Sequence, residues 1–549
     1  MALTVFLWII YGCLLSLLVL GAWLFQKLSQ WSLLDRLIVA SMPAVSFLLG
    51  VLMLNKFLIL GMSPFGRWGG WNGARLAPTF ALTHDYPLYS SADSGSVLNT
   101  IYGPVTALAY LPATLTSSPT AAVILASLLS PLLFFLPIFW LHVGDNWRNL
   151  QQTIVAFSAF IGFCFLALGS IPLSESAFLV HADAPALGLG ASACAVLYYR
   201  KHKDRIPALF LSATFAVLAV WTKQVALPIP FALLTYVLLA DGRRCFQRYA
   251  LCFCVSGTLI SAILIVAFNP QPLFFNILTL PSHHPWWFID SMQDIPRDNK
   301  IQAIKALFLV FIELTRRSFI PLIIIVFSVI CQYLFLSRKK HIREARFKVP
   351  RTWINSNRWS LFMIVGAFSV PTSMLGRVKV GGIDNTLSYT IYFLLAAATL
   401  SLINFTDPEA QALNKINKIS ILLILTISVA INLPLPLDHI YYQLKNIPSN
   451  QHQVAYNYAK NHPNEAYFPW HPLSSLLAEK KLYHFAFGIL DRELAGFPLS
   501  DRHFRAYLPS NLQLIAYPNW ASGFVKGLPE FSKKVEIDEL PGWKVYVKP

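Results

Sequence analysis

Residues 1–24 read MALTVFLWIIYGCLLSLLVLGAWL, an apolar run without a single charged side chain. A helix that crosses a bilayer needs about 20 such residues, each rising 1.5 Å, so this run is long enough to span. A cleavable signal peptide would open on a basic stretch and carry a shorter apolar core. Met1–Leu24 does neither, and it reads as a first membrane helix. Working outward, comparable stretches recur at 37–60, 120–143, 152–172, 185–200, 206–222 and 225–240, then at 250–269, 304–336, 359–375, 386–404 and 419–437. The total is about twelve spans. Segment 304–336 is too long for one straight crossing and contains Glu313, Arg316 and Arg317. It is expected to enter as an interfacial helix before it crosses.

Composition agrees. The 549 residues are 56% hydrophobic and 13% charged, whereas soluble domains run near half and a quarter. The formal net charge of +17 raises the question of nucleic acid, but the bases sit in short loops between apolar segments, where they set topology. No nucleic-acid partner is expected. The seven cysteines (Cys13, Cys164, Cys194, Cys245, Cys252, Cys254 and Cys331) lie in or beside apolar segments. They form neither a disulfide framework nor a zinc spacing.

Alternate loops differ in Lys and Arg content. One set holds Arg200, Lys201, Lys203 and Arg205, then Arg243, Arg244 and Arg248, then the run from Arg338 to Arg358, fifteen bases in these stretches alone; it is expected to be cytoplasmic. Loops 61–103, 173–184, the turn at Lys223 and Gln224, 270–303 and 376–385 carry about seven and should face outward. The fold class implied is an all-α polytopic membrane bundle over 1–437, in a plasma or inner membrane, with a small C-terminal α/β domain over 438–549 on the outer side. Within that domain Phe468-Pro469-Trp470-His471-Pro472, Tyr483-His484 and Asp491-Arg492 either border an acceptor site or simply pack.

Four features converge on the outer side. The first loop contains Trp71–Thr83, readable as a short interfacial helix, followed by Asp85, Asp93 and Asn99-Thr100-Ile101-Tyr102-Gly103-Pro104. Long structured loops tend to be functional, although this one also fits a loop packed on the bundle. His181-Ala182-Asp183-Ala184-Pro185 opens a helix. Asp183 suits a helix cap there, with proline just inside, and equally a general base beside a histidine. Arg377, Lys379, Gly381, Gly382, Asp384 and Asn385 put basic charge next to glycines, a setting for a phosphate or for a snorkelling pair with a cap. Lys223-Gln224 interrupts a long apolar stretch, as a hairpin turn would.

In these stretches, namely Trp71-Asn72-Gly73-Ala74-Arg75 through Pro87-Leu88-Tyr89 to Tyr102-Gly103-Pro104, His181 to Leu187, and Lys379 to Asn385, the sequence resembles the GT-C class of membrane glycosyltransferases. That class includes protein mannosyltransferases, oligosaccharyltransferases and lipid A aminoarabinose transferases. The resemblance covers roughly 1–440 in layout. It implies a GT-C-like bundle that takes a sugar from a polyprenyl-phosphate donor and passes it to a glycan, lipid or protein acceptor at the outer face, in contact with membrane lipid. A catalytic acid is expected early in the first outer loop, but residues 61–84 contain none, and Trp68-Gly69-Gly70-Trp71 stands in its place. Asp85, Asp93 or Asp183 would have to serve, or the member is altered.

An inverting transfer needs a carboxylate to deprotonate the acceptor and cations to hold the departing phosphate. Asp183 is assigned as base, with Asp93 competing and His181 beside it. Arg377 and Lys379 are the phosphate clamp, with Lys223 next in line. Asp85, Tyr102, Asp384 and Asn385 are the substrate-binding candidates. Some relatives use a divalent cation, but no ligand cluster in this sequence demands one. The readings from other classes are a transporter or lipid flippase and a noncatalytic GT-C-like membrane protein.

Overall fold

The computed structural model describes residues 2–62, 69–144, 147, 149–200, 205–288, 293–295, 300–337, 349–403, 411–433, 435–447, 450–521 and 528–549. The basic run 338–348, Lys201, Lys203 and Trp68 lie outside these residues.

Eight helices among the described residues are long and apolar enough to cross a membrane, and two bent helix pairs pass the same test only when each is taken together, Ile171–Phe178 with Asp183–Tyr198 and Lys300–Arg317 with Phe319–Gln332. Two other expected segments form shorter apolar helices, Ile206–Thr222 and Ser388–Ser401. Most of these helices are apolar on every face, which suits a lipid solvent, the amphipathic Lys300–Arg317 being an exception. Ala2–Lys27 makes the point, since Trp8 and Leu15 are 73% and 64% exposed and only hydrocarbon can cover them. The chain is a multi-pass membrane protein.

Sequence reasoning held 304–336 too long for one straight crossing, and two helices meet there at Ser318 with a 63° bend. It treated 173–184 as a loop. Instead, helix Leu150–Gly169 stops at Ser170, a new helix Ile171–Phe178 starts with Pro172 in its first turn, and a 99° bend leads into Asp183–Tyr198. Proline has no N–H to donate, so it opens a helix more readily than it continues one. Backbone that leaves the helix inside a bundle must find partners, and side chains supply them here. Asn72 Oδ1 accepts from Val180 N–H (3.0 Å), Ser130 Oγ donates to Leu179 O (3.2 Å) and the Tyr110 hydroxyl donates to His181 O (2.9 Å).

The C-terminal segment folds as a four-stranded sheet in the spatial order Ala466–Tyr467, Leu514–Pro518, Trp543–Val547, Lys533–Val535. The first pair is parallel and the others antiparallel. Helices Gln451–Asn461 and Pro472–Glu479 pack against one another and join the sheet to the bundle. Aromatic contacts bind the seam, with the Trp71 ring tilted against Trp470 at 5.5 Å and against Phe487 at 4.5 Å.

The first loop begins with helix Asn72–Leu82, where a short helix was expected. Its remainder, residues 86–103, is irregular and lies along the C-terminal domain. Arg492, 1% exposed, donates to Ala92 O (2.8 Å), Ser91 O (2.7 Å) and Ser90 Oγ (3.0 Å). His484 Nδ1 accepts from Val97 N–H (2.9 Å), Phe485 N–H donates to Val97 O (2.8 Å), and His503 Nε2 meets Gly95 O at 2.8 Å. The loop therefore runs between bundle and domain with backbone bonds to the domain along much of its length.

Candidate functional site

Helix ends gather beneath this seam. Asp183–Tyr198 and Ser388–Ser401 begin there, while Ile206–Thr222 and Val370–Val378 end there. Asp183 was read both as a helix cap and as a general base; the cap reading does not hold, since Ala182 occupies the cap position and no side chain caps the helix. The Asp183 carboxylate, 0% exposed, points instead at side chains from three other positions. Oδ1 accepts from Lys223 Nζ at 2.6 Å, and Oδ2 accepts from His181 Nδ1 at 2.5 Å and Asn385 Nδ2 at 2.6 Å. His181 Nε2 lies 2.9 Å from the Tyr102 hydroxyl. With Nδ1–H given to the carboxylate, Nε2 is left to accept from tyrosine, so this network assigns a neutral imidazole. Lys223 Nζ also sits over the Tyr102 ring at 5.2 Å.

Tyr102 is placed by its neighbours. Gly103 passes so close to helix Ile206–Thr222 that a Cβ would lie 1.7 Å from Trp221 O, and its N–H donates to Thr222 O at 3.1 Å. Only glycine permits that approach. Tyr102 O accepts the Tyr89 hydroxyl at 2.7 Å. Burial raises the phenol pKa of Tyr102, and the nearby Asp183 charge raises it further.

Tyr102, His181, Asp183, Lys223 and Asn385, all singled out from sequence, thus form one bonded cluster. Arg377 and Asp384 belong to a second. Arg377 donates to Gly382 O (2.9 Å) and reaches Glu313 Oε2 (3.3 Å) and Asp384 Oδ1 (3.0 Å), while Arg317 lies 3.5 Å from Asp384. Lys379 donates to Pro281 O at 2.7 Å. The three cations read as phosphate ligands are therefore all engaged within the protein. Gly382, read as letting the backbone approach a ligand, approaches its own chain: a Cβ there would lie 2.2 Å from Gly376 O.

Asp85 and Asp93 are exposed, and neither bonds to the Asp183 cluster among the described residues. Asp85 takes a left-handed conformation (φ 61°) where helix Asn72–Leu82 ends, so that Tyr86 N–H returns to Ala81 O at 3.0 Å; Asp tolerates that region better than most residues. Asp93 lies within electrostatic reach of Arg492 at the seam.

Sequence reasoning gave no role to Arg75, quoted only within the resemblance, and passed over Glu175. Both interact electrostatically with each other and with Asp183. Burial depresses the Arg75 pKa, and the Tyr102 and Asp183 charges oppose that shift. The one signal available was a lone carboxylate inside an apolar stretch, which is costly in a membrane unless it has a task. Among the described residues, no three His, Cys, Asp or Glu side chains are grouped to hold a metal ion.

Fold and site together define a multi-pass helical membrane protein with a buried charged cluster where its spans end, beneath an appended α/β domain. No protein-family model matches the sequence, and no curated protein matches it. Among solved structures, the chain is similar to the crystal structure of ArnT from Cupriavidus metallidurans in the apo state, with 14% identity, a TM-score of 0.49, and coverage of 92% of this chain and 98% of that one.

Proposed function

We propose that this chain is a membrane glycosyltransferase of GT-C type, which moves a sugar from a polyprenyl-phosphate donor to a glycan, lipid or protein acceptor on the outer face. The observation that carries the reading is the buried cluster of Asp183, Lys223, His181, Asn385 and Tyr102 at the converging helix ends. Ionisable groups buried in a membrane bundle are expensive and mark function. A site at the ends of spans meets both a lipid-embedded donor and a water-borne acceptor, since a prenyl tail can lie between helices while its phosphate stays at the interface.

In this reading the Asp183 cluster is a preorganised frame for the acceptor, with Tyr102 and Asn385 lining it. Arg377 and Lys379 bind the donor phosphate, Arg377 by exchanging its contacts to Glu313 and Asp384 for phosphate oxygens in the bidentate geometry guanidinium favours. Lys223 lends positive charge from behind.

The two bent spans favour a second reading, a transporter, because broken helices build transport sites. Against it, helices both begin and end around the cluster, as at an interface, whereas transport sites lie near the midplane.

The decisive experiment presents purified protein with a panel of polyprenyl-phosphate sugars and measures release of free lipid phosphate. Turnover with any donor supports the transferase; none with all donors overturns it.

A further inference from the structure

We infer that Glu175 is the carboxylate that takes the acceptor's proton, while Asp183 stays engaged with its own partners; this rests on the glycosyl-transfer reading above. Glu175 lies on helix Ile171–Phe178 and is 9% exposed. Its Oε2 is buried and has no hydrogen-bond partner among the described residues. The charges that act on it are those of Arg75, Arg377 and Lys56 on the positive side and Asp183 and Asp384 on the negative. It therefore stands between the two clusters, and segment Asp384–Leu387 packs directly on its helix.

Further buried polar atoms in this region lack partners among the described residues, Arg75 Nη1, a donor, and Asn385 Oδ1, an acceptor, among them. A buried polar atom without a partner costs about 1–3 kcal/mol, and proteins retain such atoms chiefly where they serve function. An acceptor hydroxyl or amine supplies a proton to Glu175 Oε2, and an anionic donor supplies oxygens to Arg75.

The other carboxylates nearby are occupied. Both oxygens of Asp183 already accept, from Lys223, His181 and Asn385. Asp384 and Glu313 are held by Arg377 and Arg317. Glu175 alone among these acids combines burial with an unengaged oxygen.

In the transfer step the acceptor's O–H or N–H bond breaks and its proton passes to Glu175 Oε2. The freed lone pair forms the bond to the anomeric carbon. The bond from that carbon to the phosphate oxygen breaks, and its electron pair leaves with the polyprenyl phosphate, whose added negative charge faces Arg75 and Arg377. Glu175 then returns its proton to solvent.

The test uses the full-length protein with the lipid-phosphate release assay, donor binding and thermal unfolding side by side. Glu175→Gln should lower turnover by roughly two to four orders of magnitude, the usual worth of a positioned base, with donor affinity and unfolding temperature unchanged. Glu175→Ala should regain turnover when formate is added, because formate supplies a proton acceptor in the space left behind. A Gln variant as fast as the parent overturns the assignment and leaves the transferase reading standing, since the parent's own turnover is measured beside it. If the Gln variant unfolds, a folded Ala variant that formate does not restore overturns it equally. A parent protein that releases no lipid phosphate removes the transferase reading and this assignment together.

Discussion

Asp183 and Lys223 are 0% and 3% exposed and 2.6 Å apart, so each is the other's main compensation for leaving water. Removing one member of such a pair strands the other charge at a cost of about 3–5 kcal/mol. Asn at position 183 has one acceptor oxygen and a donating NH2, which would have to face either Lys223 or the His181–Asn385 side, both of which donate. Asp183→Asn, innocuous if the side chain were a cap, is therefore expected to lower the unfolding temperature markedly in detergent. Adding Lys223→Met should recover much of the loss, because the orphaned charge goes with it; an Asn variant as stable as the parent would refute the pairing. Each of these residues stands out in the sequence as a polar interruption of apolar runs, but their pairing does not, since 40 positions separate Asp183 from Lys223 and 79 separate Tyr102 from His181. For the same reason Arg377 and Lys379 read as free cations when viewed locally. Lys379's acceptor, Pro281, and one of Arg377's, Glu313, lie on other elements, although Gly382 and Asp384 also engage Arg377 from within its own loop. Glu175 belongs to no motif, and only the cost of its burial marks it.

At the level of elements, long apolar runs reveal the spans well, because lipid demands hydrophobicity all round and leaves little room for ambiguity. The break at 179–182 is less visible, because it depends on side chains such as Asn72, Tyr110 and Ser130 that satisfy freed backbone from elsewhere in the chain. The first loop's course over the C-terminal domain is likewise a tertiary property. Its main fastening is Arg492, so Arg492→Met should free residues 86–103, seen as faster cleavage there in limited proteolysis, and turnover should fall through misplacement of Tyr102. Unchanged cleavage would show that the other contacts suffice. A second fastening depends on pH. His484 is neutral, accepting from Val97 N–H at Nδ1 and meeting Phe504 O at Nε2. Burial, then the His503 charge, pulls its pKa to about 4, below an unfolded value near 6.5. Between those values the unfolded chain binds more protons, so this stabilisation is complete above about pH 6.5 and is lost as pH falls toward 4. His484→Gln, which can still accept and donate, should flatten the acid side of a plot of unfolding temperature against pH. Some slope should persist, because burial also pulls His452 to about 4 and lowers His471. A plot identical to the parent's would remove His484 from the account.

Over the whole molecule, charge is distributed to opposite purposes. Several basic groups away from the Asp183 cluster are tied into ion pairs or a carbonyl contact. Arg200 pairs with Asp241, Lys418 with Asp35 at 2.6 Å, and Arg358 donates to Tyr198 O at 2.7 Å. These contacts lie at helix ends remote in the chain from the Asp183 cluster: Tyr198 closes the helix that Asp183 opens, and Asp241 closes Pro228–Asp241, which starts just after Lys223. Lys and Arg near span ends are retained on the cytoplasmic side, so that end should face the cytoplasm and the cluster with its C-terminal domain should face out. Both sides can be read in one experiment. With the seven native cysteines replaced by alanine, Ser532→Cys places an exposed thiol in the domain and Arg244→Cys one at the basic end. A membrane-impermeant thiol reagent applied to intact cells should label position 532 at once and position 244 only after the membrane is opened. The reverse pattern would turn the molecule over and put the proposed site in the cytoplasm. A donor presented at the outer surface could then never reach Glu175 or Arg377, and the transferase reading would have to be rebuilt around a cytoplasmic substrate.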